Sequence, residues 1–164
     1  MMLRLALAGA APAMAQHHHG AAAPSALTEQ EIEDLKSGTG MDLAVAAERN
    51  GYPGPKHVLE LAEKLGLATE QRAVAERLAR EVRAKAIPLG HAVIAAEADL
   101  DQLFKSGTAT AADVAAATER AGRLRAELRG VHLVAHLQMR EALSEQQRAT
   151  YVMLRGIGTG HGDH

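Results

Sequence analysis

Residues 69–105 read TEQRAVAERLAREVRAKAIPLGHAVIAAEADLDQLFK, and the hydropathy pattern of this stretch decides the fold. Val74, Leu78, Val82, Leu89, Val93, Ala96, Leu100 and Leu103 recur at three- and four-residue steps, which is the spacing of one face of an α-helix. Glu, Arg and Lys fill the other faces. At 1.5 Å per residue such a helix is roughly 55 Å long. Pro88 lies inside it, with Gly90 two residues on. Proline removes an amide donor and crowds the preceding turn, so a kink is expected there. Ser106-Gly107-Thr108 ends the helix, and Thr110 with Asp113 can cap a second one. In that second helix Val114, Ala117, Ala121, Leu124, Leu128, Val131 and Ala135 continue the period to about residue 142. Two long helices joined by so short a turn must run antiparallel.

Shorter pieces flank this hairpin. Thr28 and Glu31 have capping-box spacing and open a helix toward Leu35, which Ser37-Gly38-Thr39-Gly40 stops. Residues 41–49 form a second short amphipathic piece, and Asn50-Gly51-Tyr52-Pro53-Gly54-Pro55 is a turn, because each proline disfavours helix at the residue before it. Pro55 suits the first turn of a third helix running to Lys64, with Gly66 as its stop. Ser144 and Gln147 cap a last short helix ending at Leu154. The fold class is therefore all-α, a long antiparallel helical hairpin with short hooked flanking helices over residues 27–155. A seam this rich in alanine buries little apolar surface by itself, so a homodimer is expected.

Composition agrees with packed helices. There is no cysteine, and the only aromatics are Tyr52, Phe104 and Tyr151. The core must be Leu, Val and Ala, which suits close helices better than a sheet. Disulfides and thiolate metal sites are excluded. With 18 basic and 20 acidic residues, the charge balance gives no support for nucleic acid or an anionic membrane as a partner. Met1-Met2-Leu3-Arg4, the small apolar run from Leu5 to Ala13, and Ala13-Met14-Ala15 fit an export signal over 1–15 cleaved after Ala15. The apolar run is too short to span a bilayer. Residues 16–26 (His, Ala, Gly, Pro) are expected to be a flexible segment, and the Gly/His-rich residues 156–164 a flexible tail.

No catalytic arrangement is found, and the chain is not expected to be an enzyme or to carry an organic cofactor. A Gly-x-Ser-x-Gly elbow is absent. His132 and His136 have the spacing of a zinc-protease helix, but Leu133 stands where the general-base Glu is required. Histidine is nevertheless the informative residue type. Cleavage after Ala15 would leave Gln16 first and His18 third, so that the amine, two backbone amides and the His18 imidazole make a square-planar nitrogen set suited to Cu(II) or Ni(II). His132, His136 and Met139 are four and three residues apart and share one helical face. Two imidazoles with a thioether suit a divalent transition metal such as Cu, Ni, Co or Zn. His57 and His91 are further candidates, although pairing about residue 107 sets His91 near Leu124, well short of His132. His161 and His164 with Asp163 could hold metal weakly. The plainer readings are a His-rich linker, a core methionine and a polar tail.

Basic residues form a second pattern: Arg72, Arg77, Arg80, Arg83 and Lys85 on the first long helix, Arg120, Arg123, Arg125 and Arg129 on the second. Glu76, Glu81, Glu119 and Glu127 interleave with them. This is the pattern of a solvated helix surface with i,i+4 pairs. It also suits an amphiphilic face for unfolded client proteins, with Arg heads rimming apolar side chains.

A leader, a helical hairpin and Leu143-Ser144-Glu145-Gln146-Gln147 together resemble the periplasmic Spy/CpxP-like proteins and their heavy-metal-resistance and metal-sensor relatives, which carry Leu-Thr-x-x-Gln repeats at helix starts. Leu67-Ala68-Thr69-Glu70-Gln71 resembles a first repeat with Ala68 in place of Thr, and Leu27-Thr28-Glu29-Gln30 a further one, a residue out of step. The resemblance spans roughly residues 56–155. It implies an all-helical, cradle-like periplasmic dimer that acts as an ATP-independent chaperone, as a modulator of envelope-stress signalling with an inner-membrane sensor as partner, or as a metal-binding sensor or resistance factor. The nickel/cobalt sensors of that group use His and Met on the second hairpin helix, and Met139 stands where such a Met would. Their His lies four residues before it, where this chain has Ala135, and His136 lies three before. A metal site here is thus expected to be a variant arrangement. The primary expectation is a periplasmic metal-binding protein, the alternative a chaperone or stress-signalling modulator.

Overall fold

The computed structural model describes residue 24 and residues 26–157. The expected leader at 1–15, the segment holding His17, His18 and His19, and the terminal residues His161 and His164 lie outside the described residues. Six helices follow in order: α1 (Glu29–Ser37), α2 (Val45–Glu48), α3 (Pro55–Glu60), α4 (Thr69–Lys105), α5 (Ala111–Ala142) and α6 (Glu145–Leu154). There is no strand among the described residues, and none of the described helices is long and apolar enough to cross a membrane.

The two long helices pack along one another. Arg120 Nη1 lies 2.7 Å from Asp99 Oδ2, Arg125 Nη2 lies 2.9 Å from Glu97 Oε1, and Gln71 Nε2 donates to the Ala142 carbonyl at 3.0 Å. Partners that advance on one helix as they recede on the other make the pair antiparallel. Pro88 sits within α4, which runs without interruption to Lys105. Helices α1 and α3 lie against α4. One core cluster joins Val58, Leu65, Ala75, Leu78, Met139, Leu143 and Tyr151. A second, farther along the hairpin, joins Leu27, Leu35, Ala86, Val93 and Leu128.

The short segments depart from a simple helical reading in two places. Residues 41–49 are helical only over Val45–Glu48. Met41 has a positive φ of 43°, and the Leu43 amide closes a turn on the Gly40 carbonyl at 2.9 Å. The third helix stops at Glu60 rather than Lys64. Residues 61–66 tighten into successive turns that end at Gly66, with φ 58°, and the Leu67 amide reaches back to the Ala62 carbonyl at 3.1 Å. Ala44 and Leu65, within these two segments, are both buried.

The motif-like segments at 67–71 and 143–147 converge. Gln71 and Gln147 each occupy the third position of a helix, and each side chain accepts the backbone N–H of its own N-cap residue, Ala68 at 3.0 Å and Ser144 at 2.9 Å. The two amides also face each other. Gln71 Nε2 donates to Gln147 Oε1 at 2.8 Å, and Gln147 Nε2 donates to Gln71 Oε1 at 2.9 Å and to the Leu65 carbonyl at 3.3 Å. Two helix starts are thereby tied by one closed ring of hydrogen bonds. The Ala68 position lacks the hydroxyl that Thr28, Thr110 and Ser144 use to cap their helices. At 27–31 it is Glu31, not Gln30, that closes the capping box.

Candidate functional site

The turn after α2 assembles a cluster of titratable groups. Glu48 ends α2, Gly51 (φ 72°) reverses the chain, and Pro53, Gly54 and Pro55 are buried as α3 begins. This brings the Tyr52 carbonyl, the Gly54 backbone and His57 round the Glu48 carboxylate. From α5, His136 enters the same space, and Arg140 stacks over the Tyr52 ring at 4.7 Å to fix the turn. From α6 come Tyr151, fully buried, and just beyond it Arg155.

Hydrogen bonds set the state of both imidazoles. His136 Nδ1 lies 2.9 Å from the Tyr52 carbonyl oxygen, which can only accept, so Nδ1 carries a proton, and in the neutral ring Nε2 is left with a lone pair. His57 Nδ1 lies 3.3 Å from Glu60 Oε2, which likewise leaves its Nε2 bare in the neutral ring. That Nε2 faces Glu48 Oε1 at 3.8 Å. Burial, and then the Arg155 charge, hold the His57 pKa below the usual imidazole range, against the pull of Glu48 and Glu60. A lone pair and a carboxylate oxygen therefore oppose each other with no hydrogen between them. Gly54 leaves space beside them: a Cβ there would come within 3.0 Å of His136 Nε2 and 3.1 Å of Glu48 Oε1.

Glu48 is held from the other side by α6. Tyr151 directs its hydroxyl at the Glu48 carboxylate, 3.1 Å from Oε2 and 3.3 Å from Oε1, and accepts the Gly54 amide at 3.4 Å, while Arg155 Nη2 approaches Oε2 at 3.7 Å. Burial and the Glu48 charge push the Tyr151 hydroxyl well above the ordinary phenol range, so it stays a donor.

The other candidates fall in different surroundings. Met139 is wholly buried in the first core cluster, beside Val58, Leu78 and Tyr151. His91 is exposed, and His18 lies outside the described residues. His132 is buried beside Gly40, and its Nε2 has no hydrogen-bond partner. Of the residues singled out in the sequence, His57 and His136 share one cluster, and His132 stands one helical turn from it. Glu48, Tyr151 and Arg155 carried no sequence signal, because a carboxylate at the end of a four-residue helix reads as ordinary surface. Among the described residues, no three or more His, Cys, Asp or Glu side chains close round a point that could hold a metal ion. Comparison with protein-family models, curated proteins and solved structures returns no match.

His132 gives a stability prediction. Burial, and then His136, lower its pKa from 6.5. Above pH 6.5 the imidazole is neutral both folded and unfolded, so it adds nothing to the pH dependence. As pH falls through that value the unfolded chain takes up a proton that the folded one resists, and stability declines. His132→Leu should flatten this decline in urea melts between about pH 7.5 and 5.5. It should also raise stability at neutral pH by about 1 kcal/mol, since an orphaned buried nitrogen is removed. A variant less stable than the parent at pH 7.5 would mean that Nε2 has a partner.

Proposed function

We propose that this chain is a non-catalytic, exported protein that binds a divalent transition metal of the Cu, Ni, Co or Zn group through His57, His136 and Glu48. One observation carries the reading: both imidazoles engage Nδ1 on an oxygen acceptor, Glu60 or the Tyr52 carbonyl, which leaves Nε2 free in the neutral ring, and both rings lie beside Glu48 Oε1. That is the outer-shell pattern of metal-ligating histidine, in which the second nitrogen donates to a carboxylate or a backbone carbonyl. Two donors on one tetrahedral ion with bonds near 2.1 Å are about 3.4 Å apart, and Glu48 Oε1 and His57 Nε2 are 3.8 Å apart. The three side chains do not close round one point as they stand, so His136 must move to supply the third ligand. Two nitrogens and an oxygen suit borderline divalent ions. The export leader and the helix-start repeats support an envelope location and a hooked hairpin that pairs with a second copy.

Isothermal titration of the mature protein with Ni(II), Co(II), Zn(II) and Cu(II) tests the assignment. His57→Ala and His136→Ala should each weaken binding at least about tenfold, the scale expected for loss of a ligand or its support. Met139→Leu should leave affinity unchanged and cost less than about 1.5 kcal/mol of stability, because it conserves core volume. Binding untouched by either His variant would confine metal to the terminal histidines, and no binding would end the reading.

A second reading is client holding on the outer side of the hairpin. Val134 and Leu137 are each half exposed there, beside a groove of about 250 Å³ lined by Val82, Lys85 and Val131. Suppression of client aggregation without ATP tests it, with Val134→Ser/Leu137→Ser expected to abolish the effect. Unaltered suppression by that variant would place the activity elsewhere.

A further inference from the structure

The Glu48 carboxylate has two claims on it. One comes from the imidazoles of His57, whose Nε2 lies 3.8 Å from Oε1, and of His136, whose Nδ1 lies 3.9 Å from it; the other comes from the C-terminal helix through Tyr151 and Arg155. These claims compete, because a carboxylate drawn onto a cation is turned from its hydrogen-bond donors and carries less charge to offer them. Besides the Gln147 ring and the Arg148 bonds to the Arg140 and Leu143 carbonyls at its start, α6 is held at its far end by the buried Tyr151 ring, the Gly54 amide on its hydroxyl, the contacts to Glu48, and Ile157 packed against the first core cluster. Beyond Tyr151, Met153 is 71% exposed and Leu154 is 37% exposed.

We propose that Glu48 is a latch on α6, and that a divalent cation bound at His57 and His136 opens it by withdrawing the carboxylate from Tyr151 and Arg155. The proposal rests on the metal-binding reading and assigns that site a consequence. The end of α6, from Tyr151 to Arg155, is released when metal is present and docked when it is absent. Linkage makes the coupling reciprocal: whatever loosens the Tyr151–Glu48 bond tightens metal binding by the same factor. Tyr151→Phe keeps the buried ring and removes only the hydroxyl, so it should bind metal about fivefold more tightly than the parent, the low end of ordinary couplings. A hydroxyl with a purely structural role would leave affinity unchanged or weaken it.

Hydrogen exchange of residues 148–157 in the full-length mature protein, with and without saturating Ni(II) or Zn(II), reads the latch directly. Amide protection in this segment should fall about tenfold on metal addition, while protection in the middle of α4 is unchanged. Metal-free Tyr151→Phe and Glu48→Gln should show the same fall without metal, with helical circular dichroism like that of the parent. Calorimetry on the same samples separates two failures. Metal that binds without changing α6 exchange overturns the latch and leaves the metal site standing. Absence of binding overturns both. Should Glu48→Gln unfold, Tyr151→Phe alone decides, and unchanged affinity and exchange in that variant refute the proposal.

Discussion

Gly90→Ala is expected to destabilise the protein by about 3 kcal/mol, at the upper end of ordinary overpacking costs. Helix propensity alone predicts the opposite, since alanine in a helix interior is favoured over glycine by about 0.5–1 kcal/mol. The crossing of α1 over α4 decides the sign. A Cβ on Gly90 would lie 2.0 Å from the Leu35 carbonyl oxygen and 2.7 Å from its carbon. The obstacle is backbone, not a flexible side chain. It is also fixed in place, because Gly38 (φ 71°) and the Thr39 amide, bonded to the Asp34 carbonyl at 2.9 Å, hold the end of α1 in a tight cap. Either α1 moves off the hairpin, exposing Leu35 and uncovering Val93, or α4 bends away. Gly122→Ala is the matched control, because nothing lies within 4 Å of its Cβ position. It should gain about 0.5–1 kcal/mol. Urea melts of the two variants, read side by side, check the pair; a stabilised Gly90→Ala would mean that α1 does not cross there.

Gln147→Ala is the second large effect, with an expected loss of about 2 kcal/mol. The substitution removes the acceptor for the Ser144 amide and both hydrogen bonds between the Gln71 and Gln147 amides in one step. It also leaves the Leu65 carbonyl without its side-chain donor. Each half-buried polar group left unpaired costs on the order of 1 kcal/mol or more, whereas exposed caps cost less. Gln71→Ala strips the same ring from the other side. The double variant should therefore cost less than the two single losses combined, with a coupling of about 1 kcal/mol. Strict additivity in such a cycle would show that the two amides do not act together.

The long elements were legible in the sequence and the cluster was not, for reasons that differ by residue. Helices α4 and α5 extend over many turns, so the periodicity of Leu78, Val93, Ala121 and Leu128 accumulates into an unambiguous signal. Thr110, Ser144 and Thr28 then mark their helix starts by chemistry local to three residues. The segment from 38 to 66 has neither advantage. Its helices are too short to show a period, and its path is set by Gly38, Met41, Gly51 and Gly66 adopting positive φ, which only the packed structure reveals for Met41. Glu48 illustrates the limit. Its partners lie at positions 57, 136, 151 and 155, and no local pattern links residues so far apart in the chain. His136 was visible because His132 precedes it at helical spacing. All three of His132, His136 and Met139 lie on the buried face of α5, with His136 in the Glu48 cluster and His132 one turn from it.

The turn end of the hairpin differs from the end clasped by Gln71 and Gln147. No residue from 98 to 120 is buried, and Phe104 is 61% exposed. The exposed Arg120–Asp99 pair lies there, a contact that contributes little in salt, and Leu100, Leu103, Val114 and Ala117 are only half-buried. The hairpin is thus a cantilever, anchored at one end and free at the other. A fluorophore or an inserted peptide at Gly107 would leave both core clusters untouched. It would report on whatever docks along the beam, and a slight tilt at the anchored end would be amplified into a displacement large enough to measure.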